Sequence, residues 1–312
     1  MPWGTTPAMA SEAGSGSDAA GNGASPTGTA AAPAGTFTIG GDLPVHRMGF
    51  GAMRITGEGI WGEPDDPDAA RALLRRVVEV GINLIDTADS YGPQVSERLI
   101  AEALHPYPDG LVIATKGGTV RPGAGQWVLN GRPEHLKQAC EDSLRRLRQE
   151  RIDLYQLHAI DPNTPLAESL GALKELQQQG KIRHIGVSNF NAAQLEEARG
   201  IVDVVSVQNR YSLSDRGSQD VLDACEQHGI AFLPYFPLAA GRLTKPGGAL
   251  DEIANAHDAT AGQLALAWLL QSSPNTIPIP GTSSGVHLEE NYAAATLELS
   301  ADEMARLAGA AR

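Results

Sequence analysis

Four ionisable residues stand at or just beyond the ends of apolar runs in the first half of the chain. LIDTADSYG carries Asp86 and, five residues later, Tyr91; VIATKGG carries Lys116, and LYQLH ends in His158. A carboxylate, a phenol, an ammonium and an imidazole are side chains that hold and pass protons. Singly each has an ordinary explanation: Asp86 capping a loop, Tyr91 packing one, Lys116 at the surface, His158 hydrogen-bonded in a core. Their arrival at the ends of three successive runs points instead to an acid/base cluster.

For these groups to meet, the runs that carry them must be neighbouring parallel strands. The segment FTIGGDLPV reads as a small hairpin turning at Gly40-Gly41-Asp42, and beyond it short apolar runs alternate eight times with longer helical patterns. The expected strands are Val45 to Met53, Asn83 to Ala88, Leu111 to Lys116, Ile152 to His158, Ile182 to Asn189, Val204 to Tyr211, Ala231 to Leu238 and Thr276 to Thr282. Most are continuous apolar runs, as a parallel sheet covered on both faces requires. Between them the periodicity predicts helices such as Asp68 to Val80, Pro133 to Leu147, Leu166 to Gln179 and Ala261 to Gln271. Thr260 with Gln263 reads as a capping box, Pro165 as a first-turn proline, and Gly81, Gly180 and Gly229 as helix ends. Eight βα units predict an α/β fold of the (β/α)8 TIM-barrel type, in which catalytic groups gather at the carboxyl ends of the strands. No GxGxxG follows the first strand, so the usual Rossmann fingerprint is absent.

Composition bounds the rest. A chain of 312 residues with 42% hydrophobic content can bury one large core. Its 24 Lys and Arg against 37 Asp and Glu leave a formal charge of -13, which disfavours nucleic acid and anionic membranes as partners. The two cysteines, Cys140 and Cys225, lie in helical patterns outside any metal-binding spacing. With no long apolar run and no signal-peptide pattern, the expectation is a cytoplasmic enzyme that holds no metal. Residues 1–35 are mostly Ala, Gly, Ser, Thr and Pro, and such a stretch has too little apolar surface to offset its ordering entropy. The domain division expected is a disordered tail over residues 1–35 and one barrel over residues 36–312.

The motifs DTADSYG, ATKGG, DLYQLH, GVSNF, SVQNRYS and the late IPGT with EEN occur in order. Together they resemble those of the aldo-keto reductase superfamily over residues 37–308. The resemblance implies a nicotinamide-dependent reduction of a small aldehyde or ketone, with Tyr91 as proton donor, Lys116 and Asp86 tuning it, and His158 orienting the carbonyl. The residue types suit that chemistry. A free tyrosine is a weak acid near neutrality, and a neighbouring ammonium stabilises its phenolate. A carboxylate keeps a buried ammonium charged, and a neutral imidazole donates one N–H.

The same resemblance distributes a dinucleotide over the remaining strand ends. Ser188, Asn189 and Gln208 would bond the nicotinamide amide, and Tyr235 would stack on its ring. Gly51, Ala52 and Met53 at the end of the first strand, and Arg54 just after it, would also meet the cofactor. Phe236, Pro237 and Leu238 with the small loop through Ala240, Gly241 and Arg242 suit the pyrophosphate. Gly281, Thr282, Ser283, Ser284, His287, Glu290 and Asn291 would take the adenosine end, where hydroxyls and a helix N-terminus suit a 2'-phosphate. Many relatives carry a lysine and an arginine where this chain has Gly281 and His287, so the expectation of NADPH over NADH rests on fewer fixed charges. Met53, Trp61 and Trp127 are expected at the substrate, the two indoles sandwiching a planar ring. GAMRITGEGIWGEP, the GQWV loop and PYFPLAAGRL resemble a bacterial branch that includes pyridoxal reductases. Two other readings stay open at this stage: a cofactor-binding redox sensor on the same fold, and a reductase of a specialised-metabolite ketone.

Overall fold

The computed structural model describes residues 33–238 and 249–310. Almost all of the expected tail, and Ala240, Gly241 and Arg242 of the expected cofactor loop, lie outside the described residues.

The chain enters through the hairpin β1 (Thr36–Ile39) and β2 (Leu43–His46), paired antiparallel from Thr36↔His46 to Ile39↔Leu43. Seven parallel strands follow in neighbouring order: β3 (Phe50–Gly51), β4 (Leu84–Asp86), β5 (Val112–Gly117), β8 (Ile152–Leu157), β9 (Ile182–Ser188), β10 (Val204–Gln208) and β11 (Ala231–Phe232). A second hairpin, β6 (Thr119–Val120) with β7 (Val128–Leu129), rises from the end of β5. The eighth stave is the segment 276–280, which hydrogen-bonds to both edges of the sheet. Ile277 N–H donates to Phe232 O at 2.8 Å on one side, and Pro278 O and Pro280 O accept from Gly49 and Gly51 N–H at 2.9 and 3.3 Å on the other. These bonds close the (β/α)8 barrel.

Three expectations about the staves need correction. The run Val45 to Met53 does not form one strand: its first residues pair back into the hairpin, and Ala52–Ile55 coils into a 3-10 turn. The run Thr276 to Thr282 makes one isolated bridge, Phe232↔Thr276, and no continuous ladder. Its prolines are the reason. Pro278 and Pro280 offer carbonyls but no N–H, so the segment can pair with β3 only as an acceptor. Pro234 and Pro237 likewise follow the short β11, where a longer strand to Leu238 was expected.

The outer layer includes α1 (Pro67–Glu79), α2 (Val95–Leu104), α3 (Pro133–Leu147), α4 (Leu166–Gln178), α5 (Ala192–Arg199), α6 (Gln219–His228), α7 (Ala249–Ala256), α8 (Ala261–Ser272), α9 (Gly285–Ala293) and α10 (Ala301–Ala310). Local chemistry starts and stops them. Asp66 accepts from Ala69 N–H at 2.9 Å with Pro67 next in line, and Thr260 with Gln263 forms the reciprocal capping box. Pro165 is the N-cap of α4, one position earlier than expected. Gly81, Gly180 and Gly229 have φ of 101°, 74° and 67°, which lets the chain leave each helix in a left-handed turn.

Two apolar cores result. The larger fills the space between staves and helices, with Leu74, Leu99, Leu147 and Leu173 fully buried. The smaller lies inside the barrel, where Ile39 and Val45 of the hairpin meet Leu84, Val112, Leu154 and Ile277. Among the described residues, no helix is long and apolar enough to cross a membrane.

The closing seam is tight. A Cβ on Gly51 would lie 2.6 Å from the backbone oxygen of Ile279, whereas one on Gly171, inside α4, meets nothing within 4 Å. Gly51→Ala should therefore destabilise the fold by about 1–3 kcal/mol through overpacking against backbone. Gly171→Ala should stabilise it by about 0.5–1 kcal/mol through the lower unfolded-state entropy of alanine. Denaturant titration of both variants checks the pair, and equal effects would contradict this account of the seam.

Candidate active site

Strand alternation carries four groups to one place. Leu84 and Ala114 point into the barrel, so Asp86 and Lys116, two residues further on, point there as well, in register Asp86↔Ala114 and Lys116↔Gln156. His158 stands just past β8, two residues after Gln156. Tyr91 lies on the loop after β4, whose N–H at Tyr91 bonds Ala88 O at 3.2 Å and whose carbonyl accepts from Ser96 at 3.2 Å. Lys116 is 0% exposed, Asp86 2%, His158 1% and Tyr91 5%. The four predicted groups are thus buried together at the carboxyl rim.

The ammonium organises them. Lys116 Nζ donates to Asp86 Oδ2 at 2.6 Å, to Thr87 O at 2.8 Å and to the Tyr91 hydroxyl at 3.3 Å. An ammonium has three donors, and all three are used. Burial pulls the Lys116 pKa down, but Asp86 and Tyr91 outweigh it and hold the pKa above its ordinary value. Burial raises the Tyr91 pKa, against which Lys116 works. The phenol therefore keeps its proton while its oxygen accepts from the ammonium. Burial, and then the Lys116 charge, push His158 well below its usual range, so the imidazole is neutral. Its Nδ1 lies 3.4 Å from Ser90 Oγ, and its ring meets that of Tyr91 edge-on with centroids 6.0 Å apart.

A second ring of residues, not foreseen from the sequence, holds the carboxylate. Gln156 Nε2 and Gln208 Nε2 both donate to Asp86 Oδ1, at 3.1 and 2.7 Å. Gln208, expected at the nicotinamide, thus spends its amide N–H on Asp86. Space for Gln156 comes from Gly186, where a Cβ would lie 2.9 Å from Gln156 Cγ and 2.2 Å from Ser206 Oγ. The sequence signal was available: Gln156 shares the inward phase of His158 in LYQLH. On the outer side of β5, Glu97 of α2 is fully buried, accepting from Thr115 Oγ1 at 2.6 Å and from Arg146 Nε of α3 at 2.7 Å.

The residues expected around a dinucleotide occupy the adjoining arc of the rim. Asn189 adopts φ 62°, a left-handed conformation that asparagine tolerates, and its Nδ2 donates to His158 O at 3.0 Å and Ser188 Oγ at 3.1 Å. Its Oδ1 accepts from the Tyr235 hydroxyl at 2.7 Å, fixing that half-buried ring. Phe236 packs edge-on against Tyr235 at 5.4 Å with φ 51°, a strained value for a bulky residue, before Pro237 and Leu238. Across the seam, a Cβ on Gly281 would lie 2.6 Å from Gly51 O, so both glycines leave bare backbone there. The exposed Arg54 has its Cγ 3.5 Å from that same point, beside Ala52 and Met53. Thr282 Oγ1 accepts from Ser284 N–H at 3.0 Å, and Ser284 caps α9, accepting from His287 N–H at 3.4 Å. Exposed Ser283, half-buried Glu290 and buried Asn291 complete this arc.

Trp61 and Trp127 reach the mouth, but one face of each is taken. The guanidinium carbon of Arg121 lies 3.7 Å from the Trp127 ring centroid and 5.5 Å from that of Trp61. Arg121 thus packs against both indoles expected around a planar substrate. Among the described residues, no three His, Cys, Asp or Glu side chains come together as metal ligands.

Comparison with known proteins places this geometry. A model of the aldo/keto reductase family matches residues 47–312. The chain is 51% identical over 267 residues to an uncharacterised oxidoreductase of Schizosaccharomyces pombe, covering 86% of this chain and 87% of the relative. It is 42% identical over 282 residues to pyridoxine 4-dehydrogenase of Escherichia coli, covering 88% and 98%. Its fold is similar to that of an aldo-keto reductase from Klebsiella pneumoniae solved in complex with NADPH, with a TM-score of 0.75 and 31% identity over 87% of this chain and 93% of that one. On the extent of the family match and the identity to these relatives, the chain belongs to the aldo/keto reductase family.

Proposed function

We propose that this protein is a cytoplasmic NADP(H)-dependent reductase of small aldehydes and ketones, with pyridoxal or a similar aromatic aldehyde as substrate. The observation that carries the reading is the chain of contacts from Asp86 through the Lys116 ammonium to the Tyr91 hydroxyl, 2.6 and 3.3 Å long, at the rim of a barrel.

The bare backbone at Gly51 and Gly281, the anchored ring of Tyr235 and the hydroxyls before α9 fit an extended dinucleotide. Ser188 and Asn189 would meet the nicotinamide amide, Tyr235 its ring, Arg54 the pyrophosphate, and Thr282, Ser283, Ser284 and His287 the 2'-phosphate. Glu290 and Asn291 would meet the adenine. When bound, the cofactor supplies a hydride to the carbonyl carbon. As negative charge grows on the carbonyl oxygen, Tyr91 gives up its hydroxyl proton to that oxygen, and Lys116 stabilises the phenolate left behind. Asp86, held by Gln156 and Gln208, keeps Lys116 charged and in place. Neutral His158 donates an N–H toward the same oxygen. Met53 and the outer faces of Trp61 and Trp127 wall the entrance with apolar surface, which suits a flat ring better than a polyhydroxylated chain. The Escherichia coli relative is named for dehydrogenating pyridoxine, and carbonyl reduction is the reverse of such a step.

Tyr91→Phe removes the proton donor and keeps the ring, so turnover should fall by about 10²- to 10⁴-fold with NADPH affinity unchanged. Lys116→Met should lower turnover and move the Tyr91 pKa further up, because the charge opposing burial is gone. Steady-state assays with cofactor fluorescence titration and a pH–rate profile read both variants. A Tyr91→Phe enzyme retaining a tenth of the activity would refute the role of the phenol.

Cofactor and substrate are separated by a second assay. Pyridoxal and benzaldehydes should show higher kcat/KM than glucose or xylose, and NADPH should outperform NADH. Ser283→Asp sets a carboxylate where the 2'-phosphate would lie, and should raise KM for NADPH on the order of tenfold while sparing NADH. A preference for sugars overturns the substrate class, and an equal effect on both cofactors overturns the phosphate site.

A further inference from the structure

From the three loops that frame the mouth, we infer that Arg121 is the positioning residue that sets the substrate aperture, acting on carbonyl specificity through the conformation of the loops that carry Trp61 and Tyr91. The inference deepens the reductase reading and rests on it.

Arg121 follows β6 and is 8% exposed. Its Nε donates to Gln126 O at 2.9 Å, its Nη1 to Ile60 O at 3.0 Å and Ser90 O at 3.3 Å, and its Nη2 to Gly59 O at 3.4 Å. One planar group therefore bridges the loop after β3, the loop after β4 and the β6–β7 hairpin. Among the described residues it forms no ion pair with a carboxylate. Backbone carbonyls and the faces of Trp61 and Trp127 receive the charge instead.

The conformation it holds would not persist unaided. Gly59 and Ile60 have φ of 66° and 59°, and for β-branched Ile60 this is a sterically costly state kept only by surrounding contacts. Arg121 bonds the carbonyls of both. The same loop reaches the proton-donor loop through Gly62 N–H to Gly92 O at 2.5 Å and Gly92 N–H to Ile60 O at 3.3 Å. Ser90, whose carbonyl Arg121 holds, also places its hydroxyl near His158. Loss of the guanidinium would release Ile60 from its strained state, free Trp61 and loosen the entrance. The Lys116 cluster, inside the barrel, and the cofactor arc on β9 to β11 and α9 make no bond to Arg121.

The test compares wild type with Arg121→Lys and Arg121→Gln, using an aromatic aldehyde, a three-carbon aldehyde and NADPH. KM for the aromatic aldehyde should rise on the order of tenfold, with much smaller changes in kcat, in KM for the small aldehyde and in NADPH affinity. Lysine should not rescue, since an ammonium with three donors cannot bridge four carbonyls in one plane and stack on two indoles. If the arginine variants do not fold, Gly59→Ala, whose Cβ would meet nothing within 4 Å but which disfavours the left-handed conformation of the loop, should show the same selective rise in smaller measure. A wild type that reduces no carbonyl overturns the reductase reading and this inference with it. An active wild type whose variants keep the aromatic KM, or lose all parameters equally, overturns the inference alone.

Discussion

The site depends on an ammonium that has no water. Lys116 is 0% exposed, and taking a lysine charge out of solvent is costly unless its donors are all engaged. The chain meets that demand with one carboxylate, one backbone carbonyl and one phenol, so the geometry of the rim follows from satisfying a single cation. Asp86 in turn would be an awkward guest in the barrel, and two glutamine amides, from β8 and β10 across the barrel interior, bring it to three hydrogen bonds. Gly186 is then fixed by the room that Gln156 and Ser206 occupy. A constellation built this way is pre-organised, because no member can shift without leaving another buried group unpaired.

The outer face of the same stave is held as firmly. Thr115, next in sequence to Lys116 and pointing the other way, bonds the buried carboxylate of Glu97, which also receives Arg146. That trio ties β5 to the helices on either side of it. Strand β5 thus carries a polar anchor on each face, an unusual expense for a fully buried stave. Its effect is to fix the height of Lys116 along the barrel axis, on which the distance to Tyr91 depends.

Much of this was legible in the sequence because it follows from period. Runs that alternate with helices announce staves, and an ionisable residue at the end of a run must surface at one rim, so Asp86, Lys116 and His158 could be placed without coordinates. Tyr91 required the motif as well. Less was legible where geometry depends on more than one segment. The first and last staves are shorter or less regular than their apolar runs suggest, since a hairpin claims one and prolines strip donors from the other. Gln208 reads as a ligand-binding amide when seen alone and as a support for Asp86 once Gln156 is beside it. Arg121 left no signal at all: a lone arginine in a polar loop gains meaning only when the carbonyls of Gly59, Ile60 and Ser90 converge on it.

These contrasts divide the molecule by the kind of constraint that acts on it. The inner rim is bound by hydrogen bonds between staves. The mouth has no apolar core of its own to rely on; Val128, at its hairpin, is 47% exposed. Its order comes from polar bridging to a cation and from stacking on indoles, interactions that a change of one or two loop residues can redirect. Arg121 makes no direct bond to the Lys116 cluster, and Ser90 stands between them, its carbonyl accepting from Arg121 and its hydroxyl lying 3.4 Å from His158 Nδ1. The short loop from Thr87 to Gly92 joins the two, carrying Tyr91 to the Lys116 ammonium and the Ser90 carbonyl to Arg121. Under the proposed reductase function, this loop is where substrate selection at the mouth would meet proton transfer at the rim.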